Sequence, residues 1–211
     1  MTDLVSKDLI QLIDQGETPA GKKKVLKAAI DLFAKDGFSA TSTAVIAERA
    51  GVSQATIFKY FKNKQALLND VLNMIINQLV PHYSQDVLDG MMHNTTDIKE
   101  LISFIVTDRY AFMQANHNLI LIVMTEFLTN DAVVAELVTK LKPKTVSLVQ
   151  VIDRMGIGQL QVSGFDLLQL IVSQLLFLFL KEFRLSEGHQ LNIDQQLEQI
   201  KNLVIHTAIK N

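Results

Sequence analysis

A chain of 211 residues with 48% apolar side chains has material for one large domain, or for a small domain joined to a larger one. It contains no cysteine, which excludes disulfide frameworks, thiolate metal sites and cysteine nucleophiles and fits a reducing compartment. The net charge of −2 is unevenly spread: positions 21–64 hold nine basic residues (Lys22, Lys23, Lys24, Lys27, Lys35, Arg49, Lys59, Lys62, Lys64) against Asp31, Asp36 and Glu48, a balance of +6 that leaves −8 elsewhere. Such asymmetry points to a polyanion met by one end of the chain.

The start, Met1-Thr2-Asp3, lacks a basic region followed by an apolar run, so no secretory signal is expected and the predicted location is cytoplasmic. Apolar residues recur at three- and four-residue spacing and no run alternates with period two, which predicts an all-α fold. Residues 1–20 read as an N-terminal arm with a short amphipathic stretch (Leu4, Val5, Leu9, Ile10, Leu12, Ile13) closed by Gly16 and Pro19, a frayed helix or a disordered segment. A first full helix is predicted from about Lys22 to Lys35, with Val25, Ala29, Leu32 and Phe33 on one face and Asp36-Gly37 as its stop. A shorter helix follows over Thr43 to Ala50, ended by Gly51. Ser53 caps the next, to about Phe61, and Asn63 caps a longer one predicted to reach Val80 before Pro81. Further helix starts are signalled by Asp97 with Glu100, Asn130, Ser163 with Asp166, and Asn192 with Gln195. Pro143 is expected to divide Asp131 to Met155 into two pieces, and Gly156 to Gly164 reads as a loop.

The segment Thr43 to Phe61 carries the strongest signal. A short helix with Ile46, Ala47 and Ala50 inward meets a glycine turn and a second short helix, the pattern of a helix-turn-helix. Small Ala47 and Ala50 allow close helix approach, Gly51 suits a left-handed turn, and Val52, Ile57 and Phe61 close a miniature core. Stepping about 100° per residue from Ile57 turns Ala55, Thr56 and Lys59 outward, with Phe58 and Tyr60 on the flanks. Ala55 and the Thr56 methyl suit thymine methyls, Gln54 and Thr56 can hydrogen-bond, and Lys59 can reach a guanine edge or a phosphate. Lys62 and Lys64 are expected over the DNA backbone, and Lys22-Lys23-Lys24 near phosphates without base reading.

These residues also carry a family likeness. The runs Val25 to Phe38, Ile46 to Ser53 and Thr56 to Lys64 closely resemble the DNA-binding domain of the TetR family of repressors, most strongly over 22–68. The resemblance implies a three-helix domain (21–68) joined through a fourth helix to a divergent helical domain (69–211) that dimerises and, in many members, binds an inducer. It implies phosphate contacts at Thr43 and Lys64 and a recognition surface of Gln54, Ala55, Thr56, Lys59 and Tyr60, and Ser53 and Lys62 complete the candidate set. Departures are Ala55, where many members have glycine, and Phe58, where many have tyrosine. A phenyl ring cannot donate to phosphate, so Phe58 receives no such role.

In the second domain, dimer contacts are expected from the apolar stripes of Leu175, Leu176, Phe179 and Phe183 and of Leu197, Ile200, Leu203, Val204 and Ala208. An apolar ligand cavity is expected among helices spanning Leu101 to Asn116, Leu119 to Leu128 and Leu167 to Leu180. Phe104, Tyr110, Met113, Met124, Phe127 and Phe177 are its candidate walls, and Arg109, His117, Glu126 and Gln174 its polar contacts. The run Phe165 to Phe183 approaches membrane-spanning length but includes Asp166, Gln169, Ser173 and Gln174, so a core or interface helix is expected and no membrane partner. His82, His93, His117, His189 and His206 are scattered, and neither a His-Glu-x-x-His motif nor a Gly-rich phosphate loop occurs, so catalysis, a metal and a cofactor are not expected. The function expected is a homodimeric repressor of an inverted-repeat operator, released by an apolar small molecule. A DNA-binding scaffold or partner-binding protein without an inducer, and an apolar carrier or membrane-surface protein, are the alternatives.

Overall fold

The structure is a computed structural model that describes residues 7–75, 97–185 and 191–210. Among them the secondary structure is helical apart from one isolated antiparallel bridge, Leu160 to Ile209. The helices are α1 (Lys7–Gln15), α2 (Ala20–Asp36), α3 (Thr43–Ala50), α4 (Gln54–Tyr60), α5 (Lys64–Met74), α6 (Ile98–Ala115), α7 (His117–Phe127), α8 (Asp131–Met155), α9 (Gly164–Leu180) and α10 (Ile193–Ala208). A π-helical turn, Lys181–Leu185, continues α9.

The starts follow from side chains that take up orphan N–H groups of the first turn. Ser42, Ser53, Asn63, Ser163 and Asn192 each accept from the amide three residues on, and Asp97 accepts from those of Lys99 and Glu100. The helix capped by Asn63 is described as Lys64–Met74, and positions 76–81 of the expected extension lie outside the described residues, as do Leu4 and Val5 of the arm. Within the arm, α1 is a formed helix held on α2 by buried Ile13 and by Asp14, whose carboxylate takes the Lys27 ammonium at 2.6 Å.

Pro143 does not divide its segment, and α8 runs unbroken past it. The ring lies exposed, and Thr139, Thr145 and Ser147 each donate their hydroxyl to the carbonyl four residues back, the back-bonding that accompanies bent helices. The expected loop at 156–164 is also more ordered than its glycines suggest. Gln161 N–H donates to Ala208 O at 2.9 Å and Lys210 N–H to Gln159 O at 2.8 Å, tying it to the end of α10.

The chain divides into two compact units, Met1–His82 with Ala115–Lys140, and Tyr83–Gln114 with Leu141–Asn211. In the first, Val25, Ala29 and Ile30 of α2, Ile46 and Ala47 of α3, Ile57 of α4, Phe61, and Leu67, Leu68 and Val71 of α5 form the core, and α7 packs along α2. Each large apolar side chain fully buried there stabilises the fold by about 1.5–3 kcal/mol relative to exposure. In the second, α9 packs on α10 through Leu167, Ile171, Leu175, Leu178 and Phe179 on one side and Leu197, Ile200, Val204 and Ala208 on the other. The α9 segment with its π turn, Gly164–Leu185, is the one helix among the described residues long and apolar enough by composition to cross a membrane.

Candidate nucleic-acid interface

The turn between α3 and α4 depends on Gly51. Its φ of 63° and ψ of 40° place it in the left-handed region, where a Cβ is strained. There its N–H reaches the Ala47 and Glu48 carbonyls, and Val52 N–H donates to Ala47 O at 3.0 Å, closing the end of α3. Ser53 then starts α4: its Oγ accepts from Thr56 N–H at 3.2 Å and lies 3.0 Å from Thr56 Oγ1. Ser53 is thus committed to the cap.

Buried Ile57 and Phe61 seat α4 on the core and leave Gln54, Ala55, Phe58 and Lys59 exposed along one face. This face is rotated from the one expected. Thr56 and Tyr60 are half-buried and turn towards the start of α2, where the Thr56 methyl and the Tyr60 ring meet Gly21. Phe58, expected on the flank, stands outward and is 51% exposed. The shift arises because α2, packed across α4, covers a side that a helical wheel drawn on α4 alone leaves open. Phe58 is the residue the sequence reading passed over: a phenyl ring cannot bond phosphate, but outward on such a helix it suits thymine methyls and sugar faces. Thr43 is half-buried at the first turn of α3.

The lysines divide by what holds them. Lys22 pairs with Asp70 at 2.7 Å and lies 5.1 Å from the Phe61 ring centre, and Lys23 donates to the Asp14 carbonyl at 2.6 Å. Lys24, Lys59 and Lys62 are exposed. Lys64, expected on phosphate, instead points into the domain. Its ammonium donates to the carbonyls of Phe38 at 2.7 Å, Thr41 at 2.8 Å and Ser39 at 3.4 Å, and sits 4.3 Å from the Phe38 ring centre. An ammonium has three donors, so these bonds use them all.

The candidate effector residues fall in both units. In the first, His117 and Met124 are half-buried, Glu126 is buried and accepts from Asn130 Nδ2 at 3.2 Å, and Phe127 is on the surface. In the second, Phe104, Arg109 and Met113 are half-buried, with Arg109 paired to neighbouring Asp108. Phe177, expected as a cavity wall, is 62% exposed, and with Gln174 lines a shallow groove shared with Leu178, Lys181, Gln196, Gln199, Ile200 and Leu203. The expected dimer stripes need correction too. Leu175, Phe179 and Val204 are buried within the chain itself, with Leu197 and Ile200 nearly so, because α9 and α10 pack on each other through that stripe. Leu176 and Phe183 are half-buried, and the apolar residues these helices expose are Phe165, Val172, Phe177 and Leu203.

A polar cluster lies inside the second unit. The fully buried Tyr110 hydroxyl donates to Glu182 Oε2 at 2.5 Å, and Gln114 Nε2 donates to Glu182 Oε1 at 2.9 Å. Burial, followed by the hydrogen bond and negative charge of Glu182, pushes the Tyr110 phenol well above its usual range. The folded state therefore holds this proton more tightly than the unfolded chain. The associated stability is complete below the unfolded value of about 10 and is lost as pH rises beyond it. In an ultraviolet titration, one tyrosine is expected to stay neutral until alkaline unfolding, and Tyr110→Phe should abolish that late step. Ionisation of all tyrosines near pH 10 with the fold intact would contradict this.

A short helix, a left-handed glycine turn and a second helix seated to present polar and apolar side chains outward define a helix-turn-helix DNA-binding domain. Residues 25–71 match the model of the bacterial regulatory proteins of the tetR family. The chain is 24% identical over 103 residues to the Fatty acid metabolism regulator protein of Bacillus subtilis, covering 49% of this chain and 50% of that one. It is 53% identical over 51 residues to the HTH-type transcriptional regulator YvkB of the same organism, covering 24% and 27%. The chain thus spans half or less of the length of these curated relatives. The crystal structure of the transcriptional regulator FadR from Bacillus subtilis in complex with stearoyl-CoA shares its fold, with a TM-score of 0.63 at 18% identity over 87% of this chain and 97% of that one. Residues 25–71 thus form a DNA-binding domain of the tetR kind, in a chain that shares the helical fold of the FadR structure.

Proposed function

We propose that the protein is a cytoplasmic repressor that binds an inverted-repeat operator as a homodimer and is released by an apolar small molecule. The observation that carries the reading is the outward face of α4, where Gln54, Ala55, Phe58 and Lys59 stand exposed on a helix whose other sides are packed. A hydrogen-bonding amide, a small apolar residue, an aromatic ring and a cation make a set suited to base edges and thymine methyls in a major groove. Exposed Lys62 and Lys24 supply phosphate attraction beside it. Two copies are needed because one such helix reads only a few base pairs. The exposed apolar residues Phe165, Val172, Phe177 and Leu203 on α9 and α10 are the surface proposed for the second copy, whose two-fold symmetry would bring the same patch of both chains together.

For the effector, an acyl chain is the ligand class proposed. The relative named as a fatty acid metabolism regulator and the FadR structure holding stearoyl-CoA support it, together with the apolar composition of the second unit. Selecting bound duplexes from a random pool is expected to return paired inverted half-sites. Calorimetric titration of the protein with long-chain acyl compounds should then give tighter binding without the selected duplex than with it, because coupling between two sites is reciprocal. Equal affinities in the two titrations would remove the inducer from the account.

A further inference from the structure

Gly21 is a glycine whose backbone does not need one. The positive-φ glycines among the described residues are Gly37, Gly51 and Gly158, whereas Gly21 sits in the first turn of α2, where alanine is the better helix former. What it provides is space. A Cβ at this position would lie 3.1 Å from the Tyr60 hydroxyl, 3.3 Å from Tyr60 Cε2 and 3.5 Å from the Thr56 methyl. Thr56 and Tyr60 are one turn apart on α4, so bare backbone at 21 is the seat for that whole side of the helix. Tyr60 in turn carries Lys59, whose ammonium lies 5.7 Å from the centre of the Tyr60 ring. Next to this seat, Ile57 and Phe61 fix α4 to the core, so the helix is held on two adjacent sides and its outward face points away from both.

We propose that Gly21 is a specificity-determining positioning residue, which seats Tyr60 and Thr56 and through them aims Lys59 and the outward face of α4. A methyl group at 21 would push the Tyr60 ring by a few tenths of an ångström. Because Phe61 lies edge-on beside it at 6.5 Å between centres, the half-buried ring is freer to move away from the core. It moves outward and takes Lys59 with it, and a recognition group displaced in this way loses its base contact before it loses phosphate attraction. The inference rests on the DNA-binding reading.

The test uses the full chain with Gly21→Ala, titrated by fluorescence anisotropy on the selected duplex and on an unrelated duplex of equal length, with thermal midpoints measured alongside. Affinity for the selected duplex is expected to fall about tenfold and that for the unrelated duplex less than twofold, with a midpoint equal to or above that of the parent. Ala20→Ser, at the exposed neighbour, should change none of these. Gly21→Ala with Tyr60→Phe, which deletes the nearest atom, should discriminate between the duplexes better than the two single losses combined predict. Unchanged discrimination in Gly21→Ala, or equal losses on both duplexes with a lowered midpoint, would overturn the proposal while leaving the DNA-binding reading in place. If Gly21→Ala does not fold, a double variant that folds and discriminates less well than Tyr60→Phe alone would support it, and one that discriminates as well as Tyr60→Phe alone would overturn it. A parent chain that binds no duplex would remove both.

Discussion

Lys64→Ala is expected to lower the unfolding free energy by about 2–3 kcal/mol, through the fold and not only through DNA. The ammonium joins the start of α5 to the carbonyls of Phe38, Ser39 and Thr41, which form the corner between α2 and α3. A hydrogen bond to a charged group contributes about 1.5–3 kcal/mol, and carbonyls left without a partner in a partly buried corner add a desolvation cost. Partial exposure of Lys64 to solvent discounts the sum to roughly the value of one such bond. Lys64→Met, which keeps most of the stem over Phe38, should lose less than Lys64→Ala. Urea unfolding followed by circular dichroism measures both. Two variants within about 0.5 kcal/mol of the parent, the range of ordinary surface substitutions, would return Lys64 to the surface and to phosphate.

Lys59→Ala should weaken binding to the selected duplex by about 10- to 100-fold for each subunit that reads it, equivalent to losing one good base contact of about 1–3 kcal/mol per subunit. On unrelated duplexes the loss should be smaller and confined to counterion release, so the salt slope falls by about one per subunit. Lys62→Ala should show the opposite division, a similar loss on both duplexes, because Lys62 is exposed beyond the end of α4, off its outward face. Anisotropy titrations at two salt concentrations separate the cases. If both substitutions lower specific and non-specific binding alike, the outward face of α4 reads no bases.

The local chemistry of this chain was legible in its sequence, and its long-range packing was not. Ser53, Asn63, Ser163 and Asn192 announced helix starts because a cap and the amide it serves lie three residues apart. Gly51 announced the turn for a similarly local reason. Pro143 misled because its cost is also local, while the turns on either side keep α8 continuous. The Lys64 bonds and the seat of Tyr60 on Gly21 join residues more than twenty positions apart, and no spacing rule encodes them. For the same reason the wheel drawn on α4 placed Thr56 outward and Phe58 on the flank, since it could not include α2. The apolar stripes of α9 and α10 were visible, but periodicity says only that a stripe is covered. Leu175, Phe179 and Val204 are covered by the chain itself, whereas Phe165, Val172, Phe177 and Leu203 are exposed.

The central claim is that two copies of this chain present the outward face of α4 to successive major grooves of one duplex. Hydroxyl-radical footprinting of the selected duplex, with the parent and with Lys59→Ala, tests it most directly. The account predicts two protected patches centred about 34–36 Å apart, one helical turn or a multiple of it, related by the two-fold axis of the site and both weakened in Lys59→Ala. A single protected patch without two-fold symmetry, or a footprint unchanged by Lys59→Ala, would contradict it.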